Sequence, residues 1–306
     1  MRQLEGYITD VSFDAHFWRE MAPSHINFAA AMNGMTAPDA ERPFHYVELG
    51  CGQGIVTNLL AAAYPHGRFT GIDLNPSHIL TAREISREAQ LENVSFREES
   101  FLESANLSDD QLQQADYIAI NSIISWVPPE AFNAILRFIE RKLRSGGLVY
   151  ISYNSMPGWA DLHPVRQMLY EYANRCHGRS DHRMRQAISF ADRLRASNLG
   201  FFQANAGVRA RMDEVFANDP HHMVHEYLND SWRIFYVTQV ADALSQARCS
   251  HLGAANPLEN RPQYFVAEDA FQEIRNAPDP LMAEFLTDLA CNQWYRRDLF
   301  VRGPRS

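Results

Sequence analysis

The sequence predicts an α/β fold in which a largely parallel sheet is interrupted by a helical insertion. From Phe44 to Tyr153, short apolar runs alternate with helical segments, as expected for parallel strands joined by crossover helices. Residues 160–235 then carry helical patterns without strand alternation, and strand patterns return after residue 236. We therefore expect a sheet domain at 1–158, a helical lid or regulatory insertion at 159–235 and the completion of the sheet at 236–306.

The strands of the first part are expected at the runs FHYVEL, RFTGID, VSFRE, ADYIAI and GLVYISY. Helices are expected at 54–63, 77–90, 129–143 and, as a short element, 108–114. Pro76-Ser77 and Pro128-Pro129-Glu130 are typical helix starts, and Gly146-Gly147 are expected to end the last helix. Near the end of the chain, FYVTQVADALSQA predicts a helix, and RCSHLGAA and RRDLFVRG predict strands.

Composition excludes several classes of protein. The 306 residues are 46% hydrophobic, which is enough for a substantial core, and the formal charge of −9 argues against a nucleic-acid backbone as the partner. The four cysteines show no C-x-x-C spacing. The sequence has no apolar leader and no run long enough for a membrane span, so we expect a cytoplasmic protein with no membrane partner.

The run VELGCGQGIVTNLL places a glycine turn after the first strand. Gly50, Gly52 and Gly54 give G-x-G-x-G, with Ile55 where a dinucleotide fingerprint has its third glycine. The acid Glu48 would repel a pyrophosphate on the following helix but suits a cation. S-adenosylmethionine carries an ammonium and a sulfonium and no phosphate, so the turn favours this ligand.

A second acid, Asp73 in FTGIDLNP, ends the second predicted strand nineteen residues after Gly54. This is the expected place for a carboxylate that accepts hydrogen bonds from ribose hydroxyls. An NAD site has the same acid, so Asp73 predicts an adenosine ligand without distinguishing the two cofactors.

Taken together, VELGCGQG, GIDLNP, VSFREESF and DYIAINSIISWVP resemble the class I S-adenosylmethionine-dependent methyltransferases. YNSMPGW and DPHHMVHEYLNDSW resemble the subgroup with a methyltransferase regulatory domain, which includes relatives of bacterial protein-lysine methyltransferases. The resemblance implies a Rossmann-like seven-stranded sheet of order 3-2-1-4-5-7-6 with an antiparallel seventh strand.

The resemblance also implies a set of site residues. The methionine part of the cofactor would lie against Glu48, Gly50, Cys51, Gly52 and Gly54, and the ribose against Asp73, Leu74 and Asn75. Ser100 replaces the aspartate that often contacts the adenine, and Phe101 would offer its N–H and an apolar wall. Asn121 and Ser122 end the fourth strand, where the family brings cofactor and acceptor together.

The acceptor stays open between a protein side chain, suggested by the lysine-methylating relatives, and a small molecule, suggested by SWVPP. Transfer from a sulfonium needs alignment more than acid–base help, and a base only where the acceptor must lose a proton. Candidates for the acceptor pocket or for a base are Tyr7, His16, His25, Trp126, Tyr153, Asn154, His225 and Glu226.

The histidine-rich run HHMVHEYLND places His225 on one helix face with His221 or His222. It lacks the H-E-x-x-H order of a zinc enzyme, so we expect an amphipathic helix and no metal site. Two rival functions are a non-catalytic S-adenosylmethionine-binding regulatory or scaffold module and an NAD-dependent oxidoreductase. Glu48 and Ile55 disfavour the second rival.

Overall fold

The computed structural model describes residues 8, 10–11, 16–197, 199–217 and 219–303, with only the backbone of residues 220–222. These residues form two compact units. The sheet unit comprises residues 16–157 and 233–303, and the helical unit comprises residues 158–232 together with Ile8, Asp10 and Val11. Ile8, Asp10 and Val11 were expected in the sheet domain at 1–158, but they belong to the helical unit. The roles expected for the domains, including that of a lid, stay predictions.

The sheet unit contains a seven-stranded sheet. Its strands are β1 (His45–Leu49), β2 (Arg68–Asp73), β3 (Val94–Glu98), β4 (Ala115–Ile120), β5 (Leu143–Asn154), β6 (Cys249–Ala254) and β7 (Tyr295–Arg302). They lie in the order β3-β2-β1-β4-β5-β7-β6, and β7 runs antiparallel to both of its neighbours. The predicted fold class, strand order and antiparallel seventh strand are therefore confirmed. We call the edge at which β1, β2, β4 and β5 end the carboxyl edge.

Thirteen α-helices occur in the described residues. They are α1 (Pro23–Met32), α2 (Ile55–Ala63), α3 (Pro76–Glu88), α4 (Phe101–Ser104), α5 (Pro129–Lys142), α6 (His163–Ala173), α7 (Ser180–Arg195), α8 (Gly200–Ala204), α9 (Ala206–Phe216), α10 (Pro220–Tyr227), α11 (Val237–Gln246), α12 (Glu268–Arg275) and α13 (Pro280–Cys291). Short 3₁₀ helices span Arg19–Met21 and Pro262–Tyr264. Helices α6 to α10 belong to the helical unit.

Two local predictions were wrong. The short helix after β3 is α4 rather than 108–114, because Ser100 and Glu103 form a capping box that starts a helix at Phe101. Gly146 and Gly147 do not end α5, since that helix ends at Lys142 and β5 begins at once. Gly146 instead takes a left-handed φ of +75° inside β5, where the pairing with β4 shifts register.

Both faces of the central sheet are buried, which explains why the inner strands read as continuous apolar runs. All six residues of β4 are buried. One face of the sheet carries buried aliphatic side chains, and the other carries buried aromatic rings. The aliphatic face contains Val47, Leu49, Ile118, Ile120, Val149 and Ile151. The aromatic face contains Tyr46, Phe69, Tyr117 and Tyr150. The core thus holds the carboxyl edge in a fixed position.

The helical unit has its own apolar interior. Leu169, Met184 and Met212 are fully buried within it. Trp159 meets Trp232 edge to face at 5.2 Å between ring centroids, and the guanidinium of Arg166 lies 5.1 Å from the Trp232 ring. Across the described parts of both units, no helix combines the length and the apolar character that crossing a membrane requires.

The side chain of Asn93, just before β3, holds the connection from the end of α2 to the start of β2. Its Nδ2 donates to the carbonyls of Ala61, Tyr64 and Gly67 at 3.0, 3.0 and 2.9 Å. We expect Asn93→Ala to lower the free energy of unfolding by about 1 to 3 kcal/mol, because partly buried carbonyls lose their donor. Urea denaturation measures this change. Asn106→Ala, which removes one exposed bond to the Leu102 carbonyl, is the control, and equal effects of the two substitutions would contradict the assignment.

Candidate functional site

The chain between β1 and α2 makes a turn that only glycines accommodate well. Gly50, Gly52 and Gly54 all have left-handed backbones, with φ of +73°, +52° and +70°. The N–H groups of Gly50 and Cys51 donate to the Ile72 carbonyl at 2.8 and 3.1 Å, which ties the turn to the end of β2. The turn therefore lies at the carboxyl edge, where open parallel sheets bind their ligands.

The three glycines face different surroundings. A Cβ on Gly50 would collide with the Ile123 side chain, and one on Gly54 would lie 2.6 Å from Ala82 Cβ and 2.7 Å from the Phe96 ring. A Cβ on Gly52 would have no atom of the described protein within 4 Å. Gly50 and Gly54 thus serve packing, whereas Gly52 borders open space that a ligand can occupy.

Asp73 holds the turn from the end of β2. Its Oδ2 accepts the Gly52 N–H at 2.9 Å, and its Oδ1 accepts the Asn75 N–H at 2.8 Å. The ring of His78 lies 3.4 Å from Oδ1. The side chain of Asp73 is 13% exposed, so the carboxylate is accessible and retains free lone pairs for hydroxyl groups. Leu74 is half-buried beside it, and the Asn75 side chain caps α3 by accepting from Ser77.

Glu48 is buried rather than open to solvent, with 4% of its surface exposed. The Thr57 hydroxyl donates a short hydrogen bond to Oε2. Burial raises the pKa of Glu48 to about 8, against the lowering effect of the Thr57 hydrogen bond and with a further increase from the charge of Asp73. This shift favours the protonated form of Glu48 at neutral pH, whereas a carboxylate is expected from the sequence.

The remaining residues expected at the cofactor mainly support the turn. Cys51 is buried against Ile79, Ala82 and Phe96, and burial raises the pKa of its thiol well above the usual range. The Ser100 hydroxyl is used in the capping box of α4, so its expected contact with an adenine stays a prediction. Phe101 is buried, and its ring would lie 3.8 Å from a Cβ on Gly50.

The ends of β4, β5 and β7 bring two residues predicted at the site, Asn121 and Ser122, together with three hydroxyl groups that were not predicted. Asn121 Oδ1 accepts from Tyr150 Oη at 3.2 Å and from Ser152 Oγ at 2.9 Å. Ser122, with a left-handed φ of 55°, donates its N–H to Ser152 Oγ at 2.8 Å and places its Oγ 2.5 Å from Tyr295 Oη. Tyr295 Oη also donates to Ser152 Oγ at 2.8 Å. We call Asn121, Ser122, Tyr150, Ser152 and Tyr295 the hydroxyl cluster.

Partial signals for this cluster exist in the sequence. Tyr150 and Ser152 are two residues apart on a strand, so they share a face. The contribution of Tyr295 depends on the pairing of Ser152 with Arg297 in the antiparallel β5–β7 register, which local patterns do not specify.

Among the acceptor candidates in the sheet unit, only Trp126 fits a ligand-facing role. It is half-buried in the loop after β4, and its indole N–H is buried without a hydrogen-bond acceptor in the described residues. Tyr153 is fully buried and donates to Asp298 Oδ2 at 2.5 Å. Asn154 is 1% exposed, and its N–H donates to Ser125 Oγ at 2.9 Å. These placements argue against Tyr153 and Asn154 as residues that meet an acceptor, because the core surrounds both.

His16 and His25 also belong to the sheet unit, outside its seven strands. His25 Nε2 lies 3.0 Å from the Ala255 carbonyl, and the ring of His16 lies 4.4 Å from that of Trp18. His225 and Glu226 lie on α10 of the helical unit, where His225 is buried. Tyr7 lies outside the described residues. Within the part of the chain that the structure describes, no three or more His, Cys, Asp or Glu side chains are arranged so that they could hold a metal ion.

Comparisons with known proteins agree with this arrangement. A family model described as "Methyltransferase domain" matches residues 41–206, and one described as "Predicted methyltransferase regulatory domain" matches residues 219–302. The first match includes the glycine turn, Asp73 and the end of β4. The second lies mostly in the sheet unit and includes β6 and β7.

Several relatives share most of this chain. An uncharacterized protein of Synechocystis sp. is 34% identical over 98% of the chain and 58% of its own length. One from Rickettsia prowazekii is 26% identical over 96% of the chain and 52% of its own length. The solved structure of PKMT2 from Rickettsia typhi in complex with AdoHcy superposes with a TM-score of 0.79 at 21% identity, over 95% of this chain and 55% of that one. The chain thus spans little more than half the length of these relatives.

The predicted family is confirmed by these matches together with the fold. The first family model alone covers more than half of the chain, residues 41–206 of 306. From its sequence, sheet order and glycine turn, this chain belongs to the S-adenosylmethionine-dependent methyltransferases, in the subgroup with a methyltransferase regulatory domain.

Proposed function

We propose that this chain binds S-adenosylmethionine at the carboxyl edge, between β1 and β2, and transfers its methyl group to an acceptor near the hydroxyl cluster. One observation carries the proposal. The glycine turn is held by Asp73 so that Gly52, alone of the three turn glycines, borders open space. A backbone without side chains, next to an accessible carboxylate, fits an adenosine ligand that approaches the main chain closely.

The charges favour S-adenosylmethionine over a dinucleotide. Glu48 and Asp73 lie on neighbouring strand ends, and an anion nearby would be repelled by Asp73 and, in its carboxylate form, by Glu48. Helix α2 begins at Ile55, so the place of the third dinucleotide glycine carries a branched side chain. A cation at this site would lower the pKa of Glu48 and draw it toward the carboxylate form.

When bound, S-adenosylmethionine would supply a methyl group on a sulfonium, and the sulfur leaves as a neutral thioether without needing a proton. The protein then has to position and enclose the reactants. Asp73 accepts hydrogen bonds from ribose hydroxyls, and Gly52 lets the ligand approach the main chain. Glu48 provides a compensating negative charge once deprotonated. The proposed lid role of the helical unit rests on its insertion after β5 in the sequence.

The acceptor side of the site is neutral and rich in hydroxyls. The hydroxyl cluster contains no charged side chain, and the half-buried Trp126 lies in the loop that follows β4. Such a surface can orient a polar acceptor by hydrogen bonds. We propose either a protein side chain, as the lysine-methylating relatives suggest, or a small molecule, as the SWVPP sequence suggests.

Two measurements test the function. Calorimetric titration should show binding of S-adenosylmethionine and none of NAD. Incubation of the chain with methyl-labelled S-adenosylmethionine and a cell extract should place label either in the protein fraction or in the small-molecule fraction, which identifies the class of acceptor. Tight binding with no label in either fraction would support the non-catalytic module, and preferential NAD binding would refute the proposal.

The turn glycines supply a matched pair of variants. Gly54→Ala should destabilise the fold by roughly 2 to 3 kcal/mol or more, because the new Cβ collides with Ala82 and Phe96. Gly52→Ala meets no protein atom, so it should cost only about 1 to 2 kcal/mol for its left-handed backbone. It should nevertheless weaken S-adenosylmethionine binding at least tenfold. Calorimetry measures the stability of each variant and the affinity of the folded variants for S-adenosylmethionine. Unchanged affinity in Gly52→Ala would show that Gly52 does not belong to the ligand site.

The raised pKa of Glu48 predicts a pH effect on stability. Because the folded protein holds this proton up to about pH 8 and the unfolded chain loses it near 4.5, the free energy of unfolding should fall as pH rises between these values. The slope is at most about 1.4 kcal/mol per pH unit. Glu48→Gln keeps an acceptor for Thr57 and should remove this slope. Denaturant titrations at several pH values test the effect, and identical slopes in both proteins would show that Glu48 is ionised throughout.

A further inference from the structure

The sheet unit contains a cavity at the far end of the carboxyl edge from the glycine turn. It lies beside the end of β6 and the start of β7, whereas the turn follows β1, three strands from β7 in the sheet. Its volume is about 200 Å³. Its walls come from the segment after β6, from α13 and from β7, through the following residues: Ala254, Leu258, Glu259, Phe265, Glu284, Thr287, Asp288, Cys291, Gln293 and Arg296. We call it the acidic cavity.

Carboxyl groups outnumber cations in this cavity. Glu259, Glu284 and Asp288 line it together with one guanidinium, that of Arg296. The Arg296 side chain is 4% exposed and already forms three salt bridges. It lies 2.7 Å from Glu284, 2.5 Å from Asp288 and 2.8 Å from the fully buried Asp298. Asp298 does not line the cavity and is also contacted by His251 and Tyr153. Within the cavity one shared guanidinium faces three carboxyl groups, so an additional positive charge there is stabilised.

Asp288 is the side chain whose bonding is incomplete. It is 2% exposed, and its Oδ1 pairs with Arg296. Its Oδ2 has no hydrogen-bond partner among the described residues, although a buried carboxylate oxygen normally has one. Burial raises the pKa of Asp288 to about 7, despite the opposing charge of Arg296. A donor entering the cavity would satisfy this oxygen.

The shape and lining of the cavity indicate the kind of cation. Within the described residues, no group of three or more potential ligands is arranged to hold a metal ion, so a compact metal does not fit. Leu258, Phe265 and Ala254 add an apolar surface beside the carboxyls. A cation with an apolar stem matches both surfaces, because the stem packs on the apolar side while the charged head meets the carboxylates.

We propose that the acidic cavity binds a primary ammonium group on an alkyl stem, donated by a free alkylamine or by a lysine side chain of a polypeptide. The head group donates to Asp288 Oδ2 and to the carboxylates of Glu259 and Glu284. The stem lies against Leu258 and Phe265. This site is separate from the glycine turn, and binding at it requires no cofactor.

The test uses the whole chain without added cofactor and measures dissociation constants by calorimetry. The first pair of probes is n-pentylamine and its neutral counterpart 1-pentanol. The second pair is a capped Ala-Lys-Ala tripeptide and the same peptide with norleucine in place of lysine. We expect each amine to bind at least tenfold more tightly than its neutral counterpart, and tighter binding by the lysine peptide than by pentylamine would identify a polypeptide as the source.

Variants locate the binding. Asp288→Asn should weaken amine binding about tenfold or more, because the charged acceptor is lost while the shape is kept. Glu259→Gln should also weaken amine binding, and it replaces Asp288→Asn in the test if that variant does not fold. Glu88→Gln, an equal charge change on the exposed end of α3, should alter affinity less than twofold. The proposal is overturned if the amines bind no better than their neutral counterparts, or if the folded cavity variants behave like Glu88→Gln. Neither outcome bears on binding at the glycine turn.

Discussion

The hydrogen bond from the Gly52 N–H to Asp73 joins the two strands on which the cofactor site depends. It connects a left-handed turn to the end of β2, and the Ile72 carbonyl reinforces the connection through two further N–H groups. The turn has to be free of side chains on one side and tightly packed on the other. Gly50 and Gly54 meet the second requirement, and Gly52 meets the first.

Burial of Glu48 changes how this site presents charge. A carboxylate at the surface would attract a cation at all physiological pH values, but a buried group bonded to Thr57 stays protonated until a cation or a high pH favours its ionised form. The negative charge then develops where the ligand binds. This coupling limits the electrostatic cost of the unliganded site, because two neighbouring carboxylates need not be charged together.

The segment matched by the regulatory-domain family model has a clear structural role. Residues 219–302 include α11, β6, α12, α13 and the whole of β7, so this segment completes the sheet. β7 pairs with β5 over seven residues. It also supplies Tyr295 to the hydroxyl cluster and Arg296 to the acidic cavity. Both polar sites at this end of the carboxyl edge thus depend on a strand that lies more than 140 residues after β5 in the sequence.

Local sequence patterns determined most of the secondary structure and the cofactor turn. Strands β2, β3 and β4 occur at the predicted runs, because apolar runs between turn residues are a local property. Glycine spacing and the positions of Glu48 and Asp73 are local as well. Only tertiary structure decided that Tyr153 is a core residue, that burial raises the pKa of Glu48 and that Ser122 meets Tyr295 across 173 positions. Those outcomes depend on strand register and on burial, which arise from contacts between distant segments and have no periodic signal in the chain.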